Sequence, residues 1–354
     1  MGIPPLDSEV SRCKLGPSTK LAKCRNTAGS SLHALGQSRY MQPKRLFFDP
    51  TLIEQSGAAF IRESKVDEAL TRLIPGARIS KGRFSYPATA EQRDLVWNHM
   101  DQNHRPLVHR TYGEAMRVFI GEPAAFSLTR FGSWPAVIPV FDGYYGEGGF
   151  YQVVCLFGLL VVVNTIECKT AETGTSMEID WAIASHWSLR FLHPLLSKRL
   201  MRLNLVQNAE DDEIRDRRVA LRAAGYRFLT DTPNFINANA LRNNVVFPAV
   251  SGTHSVALDG IADGEVRRLE VAGRAYILRR AGDGFDVWPG VCPHEGAALT
   301  PKHLCDGIVE CPWHGLKYGL RRMGRGDAAI VLCGARLEVD GQTLRVMSTA
   351  GGDS

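Results

Sequence analysis

The sequence predicts two folded units in series. An α+β domain spans residues 46–240, an all-β domain spans 245–348, and residues 1–45 form a tail outside both. Three observations lead there. A length of 354 residues accommodates two domains of ordinary size. Between 46 and 240, helical spacing gives way to strand signals and then to one long helical stretch. Beyond 245, short alternating segments are punctuated by glycine turns.

The first unit opens with helical spacing from Thr51 to Leu73, ended by Pro75-Gly76. Ala90 to His104 reads as a second helix, because Pro106 disfavours helix at Arg105. A short third helix is expected from Gly113 to Phe119. Strands follow at Ala124–Phe131, Ala136–Phe141, Phe150–Phe157, Leu159–Glu167 and Ser176–Ile183, separated by Gly/Asp/Ser turn clusters. A long helix, Ser197 to Ala224, closes the unit at Gly225. In the second unit, strands are expected at Val266–Val271, Arg274–Arg279, Gly284–Val287, Gly307–Glu310, Ala335–Val339 and Thr343–Val346. Asp340-Gly341 between the last two is a strong hairpin signal.

Hydrophobic residues make up 44% and charged residues 22%, which excludes a disordered, collagenous or coiled-coil chain. The net charge of +5 suggests an acidic partner until its position is considered. Residues 1–45 hold eight basic and two acidic side chains, leaving 34 basic and 35 acidic for the rest. The folded body therefore has no electrostatic footprint for nucleic acid. The tail has no apolar period and cannot offset its ordering entropy. Its composition suits a transit peptide, a flexible arm, or an over-extended start with translation beginning at Met41. No secretory h-region is visible in residues 1–30. The longest apolar run, Val153–Val163, has eleven residues, well under the roughly 20 of a membrane span. A cytoplasmic protein is expected.

Eight cysteines are too few for a disulfide scaffold. Two of them stand beside histidines: Cys292-Pro-His294 and, after sixteen intervening residues, Cys311-Pro-Trp-His314. Each short loop offers one thiolate and one imidazole, and each is followed by a glycine, Gly296 or Gly315. A tetrahedral Cys2His2 zinc site is one reading, although zinc sites usually pair like ligands. The mixed C-x-H and C-x-x-H loops resemble the Rieske [2Fe–2S] pattern, in which two Cys hold one iron and two His the other. That resemblance implies Cys292, His294, Cys311 and His314 as ligands of a [2Fe–2S] cluster and an all-β Rieske domain around them. Respiratory-chain members carry an extra Cys in each loop and a hydroxyl after the second glycine. Here Ala297, Trp313 and Leu316 stand in that region, so the segment resembles the ferredoxin and ring-hydroxylating oxygenase type. Fewer hydrogen bonds to the cluster imply a low potential for the class. Cys305 and Cys333 fit no ligand spacing and read as core residues. Lys317, Arg321, Arg322 and Arg325 form either a dock for an acidic electron donor or a solvated face.

The order of several strands and then one long helix is the helix-grip order and resembles the START-like superfamily, which encloses an apolar cavity. Ring-hydroxylating Rieske oxygenases combine such a domain with a mononuclear non-haem iron held by two His and one Asp. Their first motif is D-x2-H-x4-H. His99 and His104 supply H-x4-H, with Val96 at the Asp position and Asp94 two residues too early. On an ideal helix these two histidines point about 140° apart, so the helix must distort near Pro106 to bring both to one metal. The third ligand is expected on the long helix, where Asp211-Asp212-Glu213-Ile214 resembles the family segment. His99, His104 and Asp211 are therefore the candidate iron ligands, with His109, His186 and His193 as substitutes. On a solvated face Asp211 would instead pair with Arg215. The family places its Rieske domain first, so the order here is inverted.

Together these observations predict an α+β helix-grip-like N-terminal domain followed by an all-β Rieske [2Fe–2S] domain. The implied activity is a Rieske-type oxidoreductase relaying single electrons. It would be oxygenase-like, drawing on a ferredoxin or reductase donor and acting on an apolar or aromatic small molecule. Transfer between subunits in that family implies a homo-oligomer. The alternative is an electron-transfer Rieske module fused to a non-catalytic START-like ligand-binding domain.

Overall fold

Alternating side chains along two long segments build the centre of the larger sheet. The computed structural model describes residues 66–121, 124–133, 135–144, 148–156, 159–172, 174–231, 243–305, 307–324 and 327–349. The tail 1–45 and the 51–65 part of the first expected helix lie outside the described residues. What remains of that helix is α1 (Val66–Leu73).

The sheet has seven antiparallel strands: β1 (Ala77–Ala88), β2 (Tyr112–Gly121), β3 (Ala124–Phe131), β4 (Val137–Tyr144), β5 (Gly149–Leu156), β6 (Leu160–Thr170) and β7 (Thr175–His186). Their order is β1-β7-β6-β5-β4-β3-β2, a continuous meander with β1 returned beside β7. Residues two apart share a face. One face of β5–β7 therefore carries Phe150, Ile166, Met177 and Ile179, which pack with Leu95 and Val96. The other carries Val163, Ala182 and Ala184, covered by Leu70 of α1.

Two expectations are corrected here. The segment 113–119 is strand, not helix: β2 pairs along its length with β3. That ladder outweighs the helix propensity of Glu114, Ala115, Met116 and Arg117. The second helix also divides. α2 (Gln92–Met100) ends at Asp101, a 3₁₀ turn covers Gln102–His104, and α3 (Arg105–Val108) follows. Arg105 is helical (φ −49°, ψ −50°) despite preceding Pro106, because Pro106 sits in the first turn of α3, where a missing N–H costs nothing.

The long helix α4 (His193–Ala223) begins four residues earlier than expected and lies on the inner face of the sheet. Gly225 takes φ +86° at its end, the left-handed position that favours glycine. The face of α4 turned inward is largely polar. Asn208, Asp211, Arg215 and Arg218 are buried along it with Ile214 and Leu221, whereas Leu205 and Val206 are exposed.

The C-terminal half is all β. One four-stranded sheet joins β10 (Thr253–Ala257), β18 (Ile330–Leu332), β19 (Ala335–Asp340) and β20 (Thr343–Ser348). A second joins β11 (Val266–Val271), β12 (Arg274–Ala281), β13 (Gly284–Pro289) and β17 (Arg321–Met323). Between them Leu278, Phe285 and Val287 pack against Leu337, Leu344 and Val346. The expected hairpin joins β19 to β20. A smaller sheet of β14 (Leu304–Cys305), β15 (Ile308–Glu310) and β16 (Lys317–Gly319) carries the second Cys-His loop between β15 and β16. Short strands β8 (Arg227–Phe228) and β9 (Val245–Val246) pair between the halves.

The two halves share a core. Trp97 of α2 and Ile214 of α4 pack with Cys292, Ala297, Cys311 and Trp313 of the loops. Arg218 fastens this contact. It is fully buried, stacked between Trp97 and Phe228 at 3.9 and 3.7 Å, and donates to Asp94 at 3.0 Å and to Glu295 at 2.9 Å. A buried guanidinium is tolerable only with such partners.

Candidate metal centres

The two Cys-His loops have the same backbone design. The Cys292 N–H donates to Ala297 O, and the Gly296 N–H returns to Cys292 O. Likewise Cys311 N–H donates to Leu316 O, and Gly315 N–H to Cys311 O. Each turn needs a left-handed residue at its fifth position. Gly296 and Gly315 provide it, with φ +88° and +63°. A side chain at Gly296 would also strike Leu221, 2.7 Å from the ideal Cβ position.

These loops bring the four donors together. Cys292 and Cys311 are buried. Burial pushes the Cys292 thiol up, but hydrogen bonds from Cys311, Tyr318 and nearby backbone N–H groups bring it down to about 6. The same partnership and burial push Cys311 up. His294 and His314 face each other, Nδ1 to Nδ1, at 3.3 Å. Their Nε2 atoms turn away, that of His294 lying 3.9 Å from Glu295 and that of His314 2.6 Å from Asp101. Two adjoining thiols and two inward Nδ1 atoms are the donor set a Rieske cluster requires, so the residues fit that group. One sequence inference is amended. No hydroxyl follows the second glycine in the loop, yet Tyr318 on β16 places its hydroxyl 3.2 Å from Cys292 Sγ.

A second group lies under α4. His104 Nε2 is 3.3 Å and His109 Nε2 3.4 Å from the same atom, Asp211 Oδ1. All three are buried, and the three ligand atoms lie within 4.8 Å of one another. The outer nitrogens meet carboxylates: His104 Nδ1 lies 3.6 Å from Asp101, and His109 Nδ1 3.1 Å from Glu210. Carboxylates behind imidazoles orient metal-ligating histidines. Both His104 nitrogens are buried without a hydrogen-bond partner. Burial works against a charged His104, but Asp101 and Asp211 lift it to about 9. Two imidazoles and a carboxylate converging this way fit a 2-His-1-carboxylate metal site.

His99 is replaced in this group by His109. Among the described residues His99 joins no set of three such ligand atoms; its Nε2 faces Asp142 at 3.2 Å. His186 and His193 are also elsewhere: His186 bonds Ser188, and His193 bonds Ser80 and Ser185. The missed signal was in the sequence. Asp101, His104 and His109 spell D-x2-H-x4-H in full, one H-x4-H step after His99 and His104. The break in helix at Asp101 lets His104 and His109 converge where a continuous helix would splay them. Asp94 serves instead as the buried partner of Arg218 and Arg222. Asp211 does pair with Arg215, at 3.2 Å, but in the interior.

The group borders a cavity of about 50 Å³ between α4 and the sheet. The cavity is not the apolar chamber expected. Phe150, Ile166, Met177 and Ile179 line part of it, but the remainder is mostly polar and includes Asn98, Gln152, Asn164 and Gln207.

Comparison with known proteins locates one family. Residues 254–331 match the Rieske [2Fe–2S] domain. Over 87 residues the chain is 29% identical to the ferredoxin component of an alkene monooxygenase system from Xanthobacter autotrophicus, covering 24% of this chain and 71% of that protein. Among solved structures, an aromatase/cyclase from Streptomyces sp. R1128 is similar at 10% identity and TM-score 0.31, covering 40% of this chain and 96% of that one. A truncated norcoclaurine synthase from Thalictrum flavum is similar at 10% identity and TM-score 0.30, covering 39% and 93%.

Proposed function

From a C-terminal Rieske [2Fe–2S] domain, whose function is electron transfer, we propose that this chain is an oxygenase-like oxidoreductase. In this reading Cys292, Cys311, His294 and His314 hold the cluster, and His104, His109 and Asp211 hold one ferrous ion. Such an ion supplies open coordination positions for O2 and substrate. Asp101 is the observation that carries the reading. Its carboxylate accepts from His314 Nε2 and faces His104 Nδ1, so one residue links the two ligand sets. Burial opposes its charge, but His314 and His104 hold its carboxyl well below the usual range. It therefore stays an acceptor that fixes the His314 ring while facing that of His104.

The link lies within one chain. An arrangement between subunits is not needed to join the two sets, although the inverted domain order departs from the family. A small ferredoxin or reductase would supply electrons, with Lys317 and Arg321 offering charge to an acidic donor. A cytoplasmic setting suits the six free cysteines among the described residues, and none of the described helices is long and apolar enough to cross a membrane.

One observation favours the second reading, a Rieske carrier fused to a metal-free binding module. Arg215 already neutralises Asp211 through Oδ2. Iron and acid-labile sulfide per chain, with EPR, decide between them. Three irons with two sulfides support the oxygenase reading; two irons with two sulfides support the binding module.

A further inference from the structure

Two adjacent rows of side chains cross the inner face of the sheet. One is apolar, Phe150 opposite Ile166 and Ile166 opposite Ile179. The next is polar, Asp142 opposite Gln152 and Gln152 opposite Asn164. Asp142 is fully buried. It accepts from Gln102 Nε2 at 2.5 Å, Arg105 Nη1 at 3.0 Å and Gln152 Nε2 at 3.0 Å. Burial raises its carboxyl, but Arg105 and His99 more than reverse that, so the group is ionised and only accepts.

That anchor fixes the direction of every bond in the row. Gln152 must give its amide to Asp142, so its carbonyl oxygen faces Asn164. Asn164 then donates Nδ2 to that oxygen, at 3.4 Å. Its own Oδ1 is left over, buried and without a hydrogen-bond partner. Asn164 is 2% exposed, and it lines the cavity that His104, His109 and Asp211 also line. A buried acceptor without a donor is unfavourable, and is usually matched by a ligand or by water.

We propose that Asn164 determines substrate specificity. Its Oδ1 accepts a hydrogen bond from an O–H or N–H group of the substrate, whose apolar part rests on Phe150, Ile166 and Ile179. The inference rests on the cavity being the substrate site. It selects a small alcohol, amine or amide over a hydrocarbon, which would leave Oδ1 unmatched. The cavity holds roughly four heavy atoms before its walls move, at ~10–15 Å³ for each water-sized group.

The test is a ligand-observed NMR titration of cluster-loaded protein with acetamide and with acetone, which has the same shape and no donor. Acetamide is expected to bind about tenfold more tightly. Asn164→Leu should erase the preference, and Asn164→Asp, still an acceptor, should keep it. Equal binding of the two probes, absence of saturable acetamide binding, or a preference that survives Asn164→Leu overturns the proposal. The wild-type comparison decides even if a variant misfolds. Iron counted in the same samples separates the two readings: a donor preference with only two irons refutes the metal site and leaves this inference standing.

Discussion

Asp101 accepts a 2.6 Å hydrogen bond from His314, a residue 213 positions away in the sequence. The same carboxylate stands 3.6 Å from His104. A turn at the end of α2 thus touches both candidate metal centres, and both belong to one polypeptide.

In the proposed reading, a single chain is enough to join the two sites. Mixing a Cys311→Ser chain, which has no cluster, with a His104→Ala chain, which has no triad, should restore nothing. The readout is O2-dependent reoxidation of the reduced cluster in single-turnover stopped flow. Faster reoxidation in the mixture than in the His104→Ala chain alone would show that the connection runs between subunits.

Iron stoichiometry separates neighbouring histidines. His104→Ala, His109→Ala and Asp211→Ala should each lower iron from three to two per chain and leave the Rieske EPR signal in place. His99→Ala should retain all three, because His99 faces Asp142. His294→Ala or Cys311→Ala should remove the EPR signal and the reddish colour altogether.

The Tyr318 hydroxyl beside Cys292 Sγ should tune the cluster. A hydrogen bond to sulfur stabilises the more negative, reduced form, so its removal lowers the potential. Tyr318→Phe is expected to shift the midpoint down by roughly 20–60 mV, the equivalent of one ordinary hydrogen bond for a one-electron couple. An EPR-monitored redox titration measures it, and an unchanged midpoint refutes the role.

Arg218 should matter more for stability than for chemistry. Arg218→Met fills similar space but leaves Asp94 and Glu295 without their shared buried cation. The expected loss is about 3–5 kcal/mol in urea unfolding, with the EPR signal retained in molecules that remain folded.

Acid should expose the contribution of Asp142. Its folded-state carboxyl titrates below the ordinary value, so its stabilisation is present above about pH 4 and is lost as pH falls further. Asp142→Asn should therefore be destabilised at pH 6, by about 3–5 kcal/mol because Arg105 loses its buried partner. The gap from wild type should narrow below pH 4. Unfolding free energies from pH 6 to 3 check this, and a constant gap contradicts it.

The sequence spelled the cluster loops plainly, because Cys292, His294, Cys311 and His314 sit in two short turns whose spacing is itself the signal. The second site was legible only in part. His99, His104 and His109 form two overlapping H-x4-H pairs. Choosing between them requires knowing that the helix breaks at Asp101, whose side chain bonds the distant His314. Asp211 was visible as a carboxylate on a long helix, but its inward direction depends on Asn98 and Arg215 arriving as partners. β1 escaped notice because its sequence alternates Lys81, Arg83 and Ser85 with few strong β formers. An edge strand with solvent on one side permits that. The polar row from Asp142 to Asn164 had no local signature, since three separate strands contribute one residue each.

Burial of the two imidazole edges has a directional consequence. The His294 and His314 side chains are only 7% and 3% exposed, and His314 is covered by Asp101 from the other half of the same chain. The opposite aspect borders a surface hollow lined by Tyr318 and Lys317. In the proposed reading charge would enter and leave through different walls, and the fold would work as a conductor with separate terminals rather than as a shuttle that must detach to deliver.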